Sequence, residues 1–275
     1  MNDPQVSIIV ILWNQVFYTK KCFETLFKYT NTDFELIIYD NNSVDGTKEY
    51  LKTLDKSKNK YCKDIKINYY DENIGFTKRA NEGFKDAKGK YILFLNNDTE
   101  LTPNWLEKLI LCAESDAKIG IVNPLFNNNL SKHFNFSPSS LLHPNQINLI
   151  VEESSLHYYP DVCTCVGFCF LVKRNVYNKI GMFDESYGFA LGEESDYCMR
   201  ANKAGFRTVC SDDTYVYHIG KASFDLSLSK TIYENNATKK FLSQWAEKWH
   251  KQITICDRKN ELQYLRNEIS KYNYE

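Results

Sequence analysis

A chain of 275 residues with 43% hydrophobic and 25% charged residues suits one large globular domain, or one domain with an appendage. Its 34 Lys and Arg are scattered among 35 Asp and Glu for a net charge of −1, so no basic field argues for nucleic acid as a partner. No apolar stretch of about 18 residues is present to span a membrane, and residues 1–12 lack the flanks of a secretory leader, so a cytoplasmic protein is expected.

Nine cysteines are an odd number, and most sit among apolar neighbours, as Cys169 does between two Phe. They read as buried free thiols in a reducing compartment rather than as a disulfide framework. Cys163, Cys165 and Cys169 have no Cys/His pair following at zinc-finger spacing.

The first hundred residues alternate two patterns. Val6–Leu12 is a β-branched strand ended by Trp13-Asn14, and apolar residues at 18, 22, 26 and 29 give the next segment a helical period. Phe34–Tyr39 is a second strand, closed by Asp40-Asn41-Asn42-Ser43, and Asp45-Gly46-Thr47 opens a helix through about Lys56. Ile65–Tyr69 alternates as a third strand, Asn73–Lys85 returns to helix, and Tyr91–Leu95 is an apolar strand that stops at Asn96-Asn97-Asp98-Thr99. This rhythm predicts a mostly parallel sheet covered on both faces, with Asp40 and Asp98 at one carboxyl edge, where open α/β sheets bind ligands. Asn-Asn-Asp is also good turn chemistry, but two carboxylates on one edge favour a binding crevice.

From Ile119 the pattern loosens. Residues 123–161 are polar and long for a connection, as functional loops and lids are. Val166–Val172 is a further strand, and Glu193, Glu194 and Asp196 open a helix that ends near Gly205. Three acids in a first turn complement the helix dipole, but the apolar, Gly-bearing approach 187–192 suggests a dehydrated pocket that raises a carboxylate toward the range of a general base. Tyr215–His218 reads as a short strand ending on a candidate metal ligand, with Gly220–Phe224 as a loop beyond it. Helical patterns follow over 230–249 and 258–270, expected to pack on the core or to mediate an oligomer. There is no G-x-G-x-x-G, no P-loop and no G-x-S-x-G elbow.

Taken in order, Val6–Asn14, LIIYDNNSVDG (36–46), NIGFTKRANEG (73–83), YILFLNNDT (91–99), GMFDE (181–185), GEESDYCMR (192–200) and YHIGKASF (217–224) resemble the inverting glycosyltransferases of family 2, in particular their rhamnosyltransferase-like bacterial surface-polysaccharide branch. The resemblance implies the GT-A fold, a Rossmann-like, mostly parallel central sheet with helices on both faces. It spans residues 1–225, with a nucleotide-binding half to about 100 and an acceptor-binding half beyond, followed by a C-terminal helical extension at 226–275.

The same resemblance implies a nucleotide-diphospho-sugar donor, a saccharide or lipid-linked acceptor, a divalent cation (Mn²⁺ or Mg²⁺) and at most peripheral contact with a membrane. Carried over position by position, it puts Asp40 on the nucleotide base with Trp13 and Asn14 lining the pocket, Asn73 closing the nucleotide site and Asn97 near the ribose. Asp98 and His218 would hold the metal. Glu194 would be the catalytic base, with Glu193 as runner-up and Asp196 orienting a neighbour. Two departures stand out: the family's D-x-D keeps one carboxylate here, and its usual Glu-Asp pair is Glu193-Glu194. A silent sugar- or nucleotide-binding module on the same fold is one alternative. A sugar nucleotidyltransferase is another, but it would want a Gly- and Arg-rich triphosphate loop where Leu12-Trp13-Asn14-Gln15 stands.

Overall fold

A computed structural model describes residues 3–127, 142–220 and 236–245, with Leu265, Glu268 and Lys271 beyond them. The expected strands form β1 (Val6–Leu12), β2 (Phe34–Asp40), β3 (Cys62–Tyr69) and β4 (Tyr91–Leu95), all parallel, with Leu12 beside Asp40 and Asp40 beside Tyr69 in register. Their carboxyl ends therefore share one edge. Between them run α1 (Val16–Tyr29), α2 (Thr47–Leu51) and α3 (Phe76–Asp86). The α2 helix is shorter than its charged pattern suggests, and a separate 3₁₀ turn covers Lys56–Lys58.

Three strands complete a seven-stranded mixed sheet in the order β3-β2-β1-β4-β7-β6-β8. They are β6 (Ile119–Leu125), β7 (Cys169–Lys173) and β8 (Arg207–Tyr215), with β7 antiparallel to both β4 and β6. The chain from Ile119 is thus more regular than its sequence reads. It also includes α4 (Trp105–Glu114), α6 (Arg174–Ile180) and α5 (Pro144–Ser154), which opens on a His143–Gln146 capping box. The strand expected at 166–172 starts at Cys169, because Val166 instead exchanges both backbone groups with the Asn123 side chain. The expected 215–218 strand is the end of β8 plus a two-residue strand, β9 (Tyr217–His218), which pairs with β5 (Thr99–Glu100) outside the main sheet.

Helices cover both faces, as expected. Val6, Ile8, Val10 and Leu12 face a core shared with α1 and α4, while Ile9 faces another shared with α3 and α7 (Glu193–Lys203). Eight cysteines are among the buried residues, and Cys22, Cys165, Cys169 and Cys210 have thiols pushed up by desolvation. Part of the C-terminal extension packs on this body: Ala237 and Phe241 of a helix at 236–245 lie against Tyr187 and Met199, and Leu265 is wholly buried in the α3/α7 core. The remainder of the 230–270 helical patterns, segment 128–141 and the 221–224 loop lie outside the described residues. No helix among the described residues is long and apolar enough to cross a membrane.

Candidate active site

Asp40 ends β2 with its side chain wholly buried. Its Oδ1 accepts the Ser43 N–H at 3.1 Å, while Oδ2 is enclosed with no hydrogen-bond partner among the described residues. A buried charged acceptor in that state is costly unless a ligand completes it. Around it stand two half-exposed rings, Trp13 after β1 and Tyr69 at the matching position of β3. Burial first, and then the Asp40 charge, push the Tyr69 hydroxyl up. Asn14 adopts φ +57°, and its side chain accepts the Val44 N–H at 2.8 Å while its own N–H reaches Ser43 Oγ at 2.7 Å. That pins the β1–α1 turn to the loop after Asp40.

Asn73 caps the next loop, its Oδ1 taking Asn41 Nδ2 at 2.6 Å and the Gly75 N–H at 3.0 Å. Asn41, to which sequence reasoning gave no role, is the centre of this network. Its Oδ1 accepts the Ile74 N–H and Arg79 Nε, and the Arg79 guanidinium lies 3.2 Å from the Tyr70 ring centroid. Gly75 has φ +90°, and a Cβ there would fall 2.5 Å from the Phe189 carbonyl oxygen, which accepts the Phe76 N–H at 2.7 Å. Segment 185–192 is thereby docked on the start of α3.

Asp98 and His218 meet as expected, Oδ1 to Nε2 at 3.3 Å, both largely buried. The β5–β9 ladder positions them: Thr99 pairs with His218, the Ile219 N–H bonds the Asp98 carbonyl, and the Gly220 N–H bonds Oδ2 at 3.1 Å. Adjacent ligands of an octahedral ion with bonds of about 2.1 Å lie about 3 Å apart, so a carboxylate oxygen and an imidazole nitrogen at this spacing fit a divalent cation. No cluster of three or more His, Cys, Asp or Glu is suited to a metal among the described residues, so donor oxygens would have to complete the shell. The Phe168 ring stacks on His218 with centroids 4.7 Å apart. Asn97 is buried, and its amide nitrogen donates to Thr19 Oγ1 at 2.9 Å, bracing the start of α1.

The acids at the start of α7 divide by environment. Asp196 is satisfied: Arg200 Nε at 2.7 Å and Trp245 Nε1 at 2.8 Å donate to its two oxygens. Glu193 and Glu194 each keep an enclosed Oε2 with no partner among the described residues. Desolvation, reinforced by the Glu194 charge, pushes the Glu193 carboxyl well above the usual range. Desolvation also raises Glu194, against the lowering effect of backbone N–H groups at the helix start. Burial therefore outweighs the helix dipole here, whose end is worth about 0.3–1 kcal/mol.

Gly167 links this pair to Asp98 and His218. A Cβ on it would touch Glu194 Cγ at 4.0 Å, and the next residue is the Phe168 stacked on His218. The antiparallel course of β7 brings both to the carboxyl end of β4, where the Phe168 carbonyl accepts the Asn96 N–H at 2.8 Å. An unpaired acceptor, a cation-competent pair and two desolvated carboxylates thus share one edge of the sheet. Such a set can bind a nucleotide, hold a metal on its phosphates and abstract a proton nearby.

Comparison with known proteins agrees with this arrangement. The model of "Glycosyl transferase family 2" matches residues 7–181. The chain is 28% identical over 123 residues to the "Putative glycosyltransferase EpsH" of Bacillus subtilis (strain 168), covering 45% of this chain and 34% of that one. It is 30% identical over 105 residues to the "Putative teichuronic acid biosynthesis glycosyltransferase TuaG" of the same organism, covering 38% and 40%. The matched stretches thus span well under half the length of these relatives. Among solved structures, a mannosyltransferase of Pyrobaculum calidifontis in complex with GDP-Man and Mn²⁺ superposes with a TM-score of 0.61 at 15% identity, covering 82% of this chain and 59% of that one. TarS 1–349 of S. aureus gives a TM-score of 0.59 at 17% identity, covering 98% and 89%. The fold is GT-A, and the chain belongs to glycosyl transferase family 2.

Proposed function

We propose that this chain is a metal-dependent, inverting glycosyltransferase. It moves a hexosyl or deoxyhexosyl group from a nucleotide-diphosphate donor to a hydroxyl of a saccharide or lipid-linked acceptor, in the synthesis of a bacterial surface polysaccharide. The observation that carries the reading is the convergence of Asp98–His218 with the Glu193/Glu194 pair through Gly167 and Phe168. Family membership and the likeness to EpsH and TuaG support it.

Asp40, Trp13 and Asn14 receive the nucleotide, while Asn73 and Asn97 hold the loops that shape its pocket. Asp98 and His218 would hold a divalent cation, which when bound would supply neutralisation of the charge on the departing diphosphate, an effect worth several kcal/mol. The mixed oxygen and nitrogen set leans toward Mn²⁺ over Mg²⁺. Glu194 accepts the proton of the attacking hydroxyl, a contribution of about 10²–10⁴-fold. A single displacement from the face opposite the diphosphate inverts the anomeric carbon. Burial raises the Glu193 carboxyl as well, and the Glu194 charge beside it adds to that rise. Segments 123–161 and 185–192 read the acceptor. The C-terminal extension, residues 226–275, offers a surface for self-association, and membrane contact is peripheral at the cytoplasmic face.

The test is release of nucleoside diphosphate from UDP-, dTDP- and GDP-sugars with Mn²⁺, with and without chelator. Wild type should turn over one class of donor only with metal. Glu194→Gln should lose about 10²–10⁴-fold in turnover while still binding nucleotide. Normal turnover in that variant would remove the assignment.

A further inference from the structure

We infer that Asn127 is a positioning residue for His218, holding its ring against Asp98 and so setting the affinity of that pair for a divalent cation. This deepens the metal reading above and rests on it. Asn127 lies two residues beyond the end of β6 and opens the run Asn127-Asn128-Asn129, which in sequence is plain turn chemistry. Its side chain nevertheless grips His218 twice. Oδ1 accepts the His218 N–H at 2.8 Å, and Nδ2 donates to the His218 carbonyl at 3.0 Å.

The place of His218 in its ladder explains why both bonds matter. Strand β9 is two residues long, and the Ile219 N–H bonds the Asp98 carbonyl beside His218 rather than on it. An antiparallel pair leaves every second residue with its N–H and C=O turned outward. At His218 the Asn127 amide takes these two groups, as a neighbouring strand would.

The ring itself lacks the usual polar anchor. A metal-binding imidazole ordinarily donates its second nitrogen to a carboxylate or carbonyl, which sets its direction. Here Nδ1 is enclosed with no partner among the described residues, while Nε2 faces Asp98 Oδ1 at 3.3 Å. Orientation therefore falls to the neighbouring rings and to the backbone. Phe168 stacks on His218 with planes 14° and centroids 4.7 Å apart, and Phe126 packs on Phe168 at 4.7 Å. Stacking fixes the plane of the imidazole but lets it slide within that plane. The two bonds to Asn127 stop the slide, and a ligand site needs placement to within about 0.5 Å.

The experiment is Mn²⁺ titration of wild type, Asn127→Ala and His218→Ala, alone and with UDP, dTDP or GDP. It is followed by the enhancement of water proton relaxation that the ion gains on a macromolecule. Asn127→Ala should bind Mn²⁺ about 10-fold more weakly or worse, as loss of an outer-shell partner does. In turnover, its KM for Mn²⁺ should rise by a larger factor than kcat at saturating Mn²⁺ falls, whereas simple loss of folded protein would lower kcat alone. The His218 amide should be protected from exchange in wild type and open in Asn127→Ala. Unchanged Mn²⁺ affinity in that variant, or an unprotected His218 amide in wild type, overturns the inference and leaves the metal reading standing. No Mn²⁺ binding by wild type, or equal binding by His218→Ala, overturns both. Where Asn127→Ala does not fold, the wild-type amide decides.

Discussion

Glu193 and Glu194 sit where a helix start should favour their ionised forms, and burial holds them protonated beyond the ordinary carboxylate range. For Glu193 the folded chain keeps a proton that the unfolded chain gives up, so stability falls as pH rises from the usual Glu value through the raised folded one. Glu193→Gln should therefore raise the free energy of unfolding at pH 7–8, by ~1.4 kcal/mol for each pH unit of the window crossed, and the gain should vanish near pH 4. Thermal denaturation across pH checks this. Glu194 must be ionised to act, so kcat/KM should rise with pH along a limb above the ordinary Glu range. The same Glu193→Gln variant should leave that limb in place, because burial rather than its neighbour raises Glu194. At this scale the charged members of the site were legible from type and position. Asn41 and Tyr69 were not: an Asn after a strand-ending Asp looks like turn chemistry, and a Tyr at a strand end looks like any half-buried ring.

Elements were legible where one period ruled. Tyr91–Leu95 is apolar throughout and stops abruptly, so β4 and its polar tip stood out. In contrast, β8 runs through Ser211-Asp212-Asp213-Thr214, which reads as a turn yet is fully buried. Its polarity is absorbed by partners distant in sequence: Asp212 accepts the Tyr158 and Tyr159 N–H groups, and Asp213 accepts the Tyr159 hydroxyl. Gly120, Asn123 and Pro124 interrupt β6 in the same way, with a register shift at Pro124/Leu125. The antiparallel direction of β7, which delivers Gly167 and Phe168, has no local signature at all. The docking of segment 185–192 on α3 is testable through Gly75→Ala. The positive φ and the 2.5 Å approach to the Phe189 oxygen should cost about 1–3 kcal/mol. Amide exchange should show faster opening across 185–192, with little change around β1 and β2.

At the scale of the molecule, the helix at 236–245 was legible in the C-terminal extension, but where it docks depends on surface that other segments create. Its 236–245 helix buttresses the acid-bearing end of α7. Phe241 packs by Tyr187 and Met199, Lys240 pairs with Asp184 at 2.9 Å, and Trp245 holds Asp196. Phe241→Ala should lower stability by about 3 kcal/mol. Turnover should fall with it, while affinity for nucleotide, whose proposed pocket lies at strands β1–β3, stays near wild type. Paired measurements of melting temperature, kcat and nucleotide Kd would check this, and equal losses in kcat and nucleotide binding would contradict it.

The small β5–β9 ladder has a consequence in time as well as in space. During synthesis, β1 to β4 and Asp98 leave the ribosome long before Tyr217 and His218, so the first half of the sheet is complete before the partner of Asp98 is made. On the proposed function, donor binding through the phosphates would therefore wait for β9. Once both halves are present, a cation and diphosphate bound as proposed would tie Asp98 to His218, and separating β5 from β9 would require ejecting the ligand first.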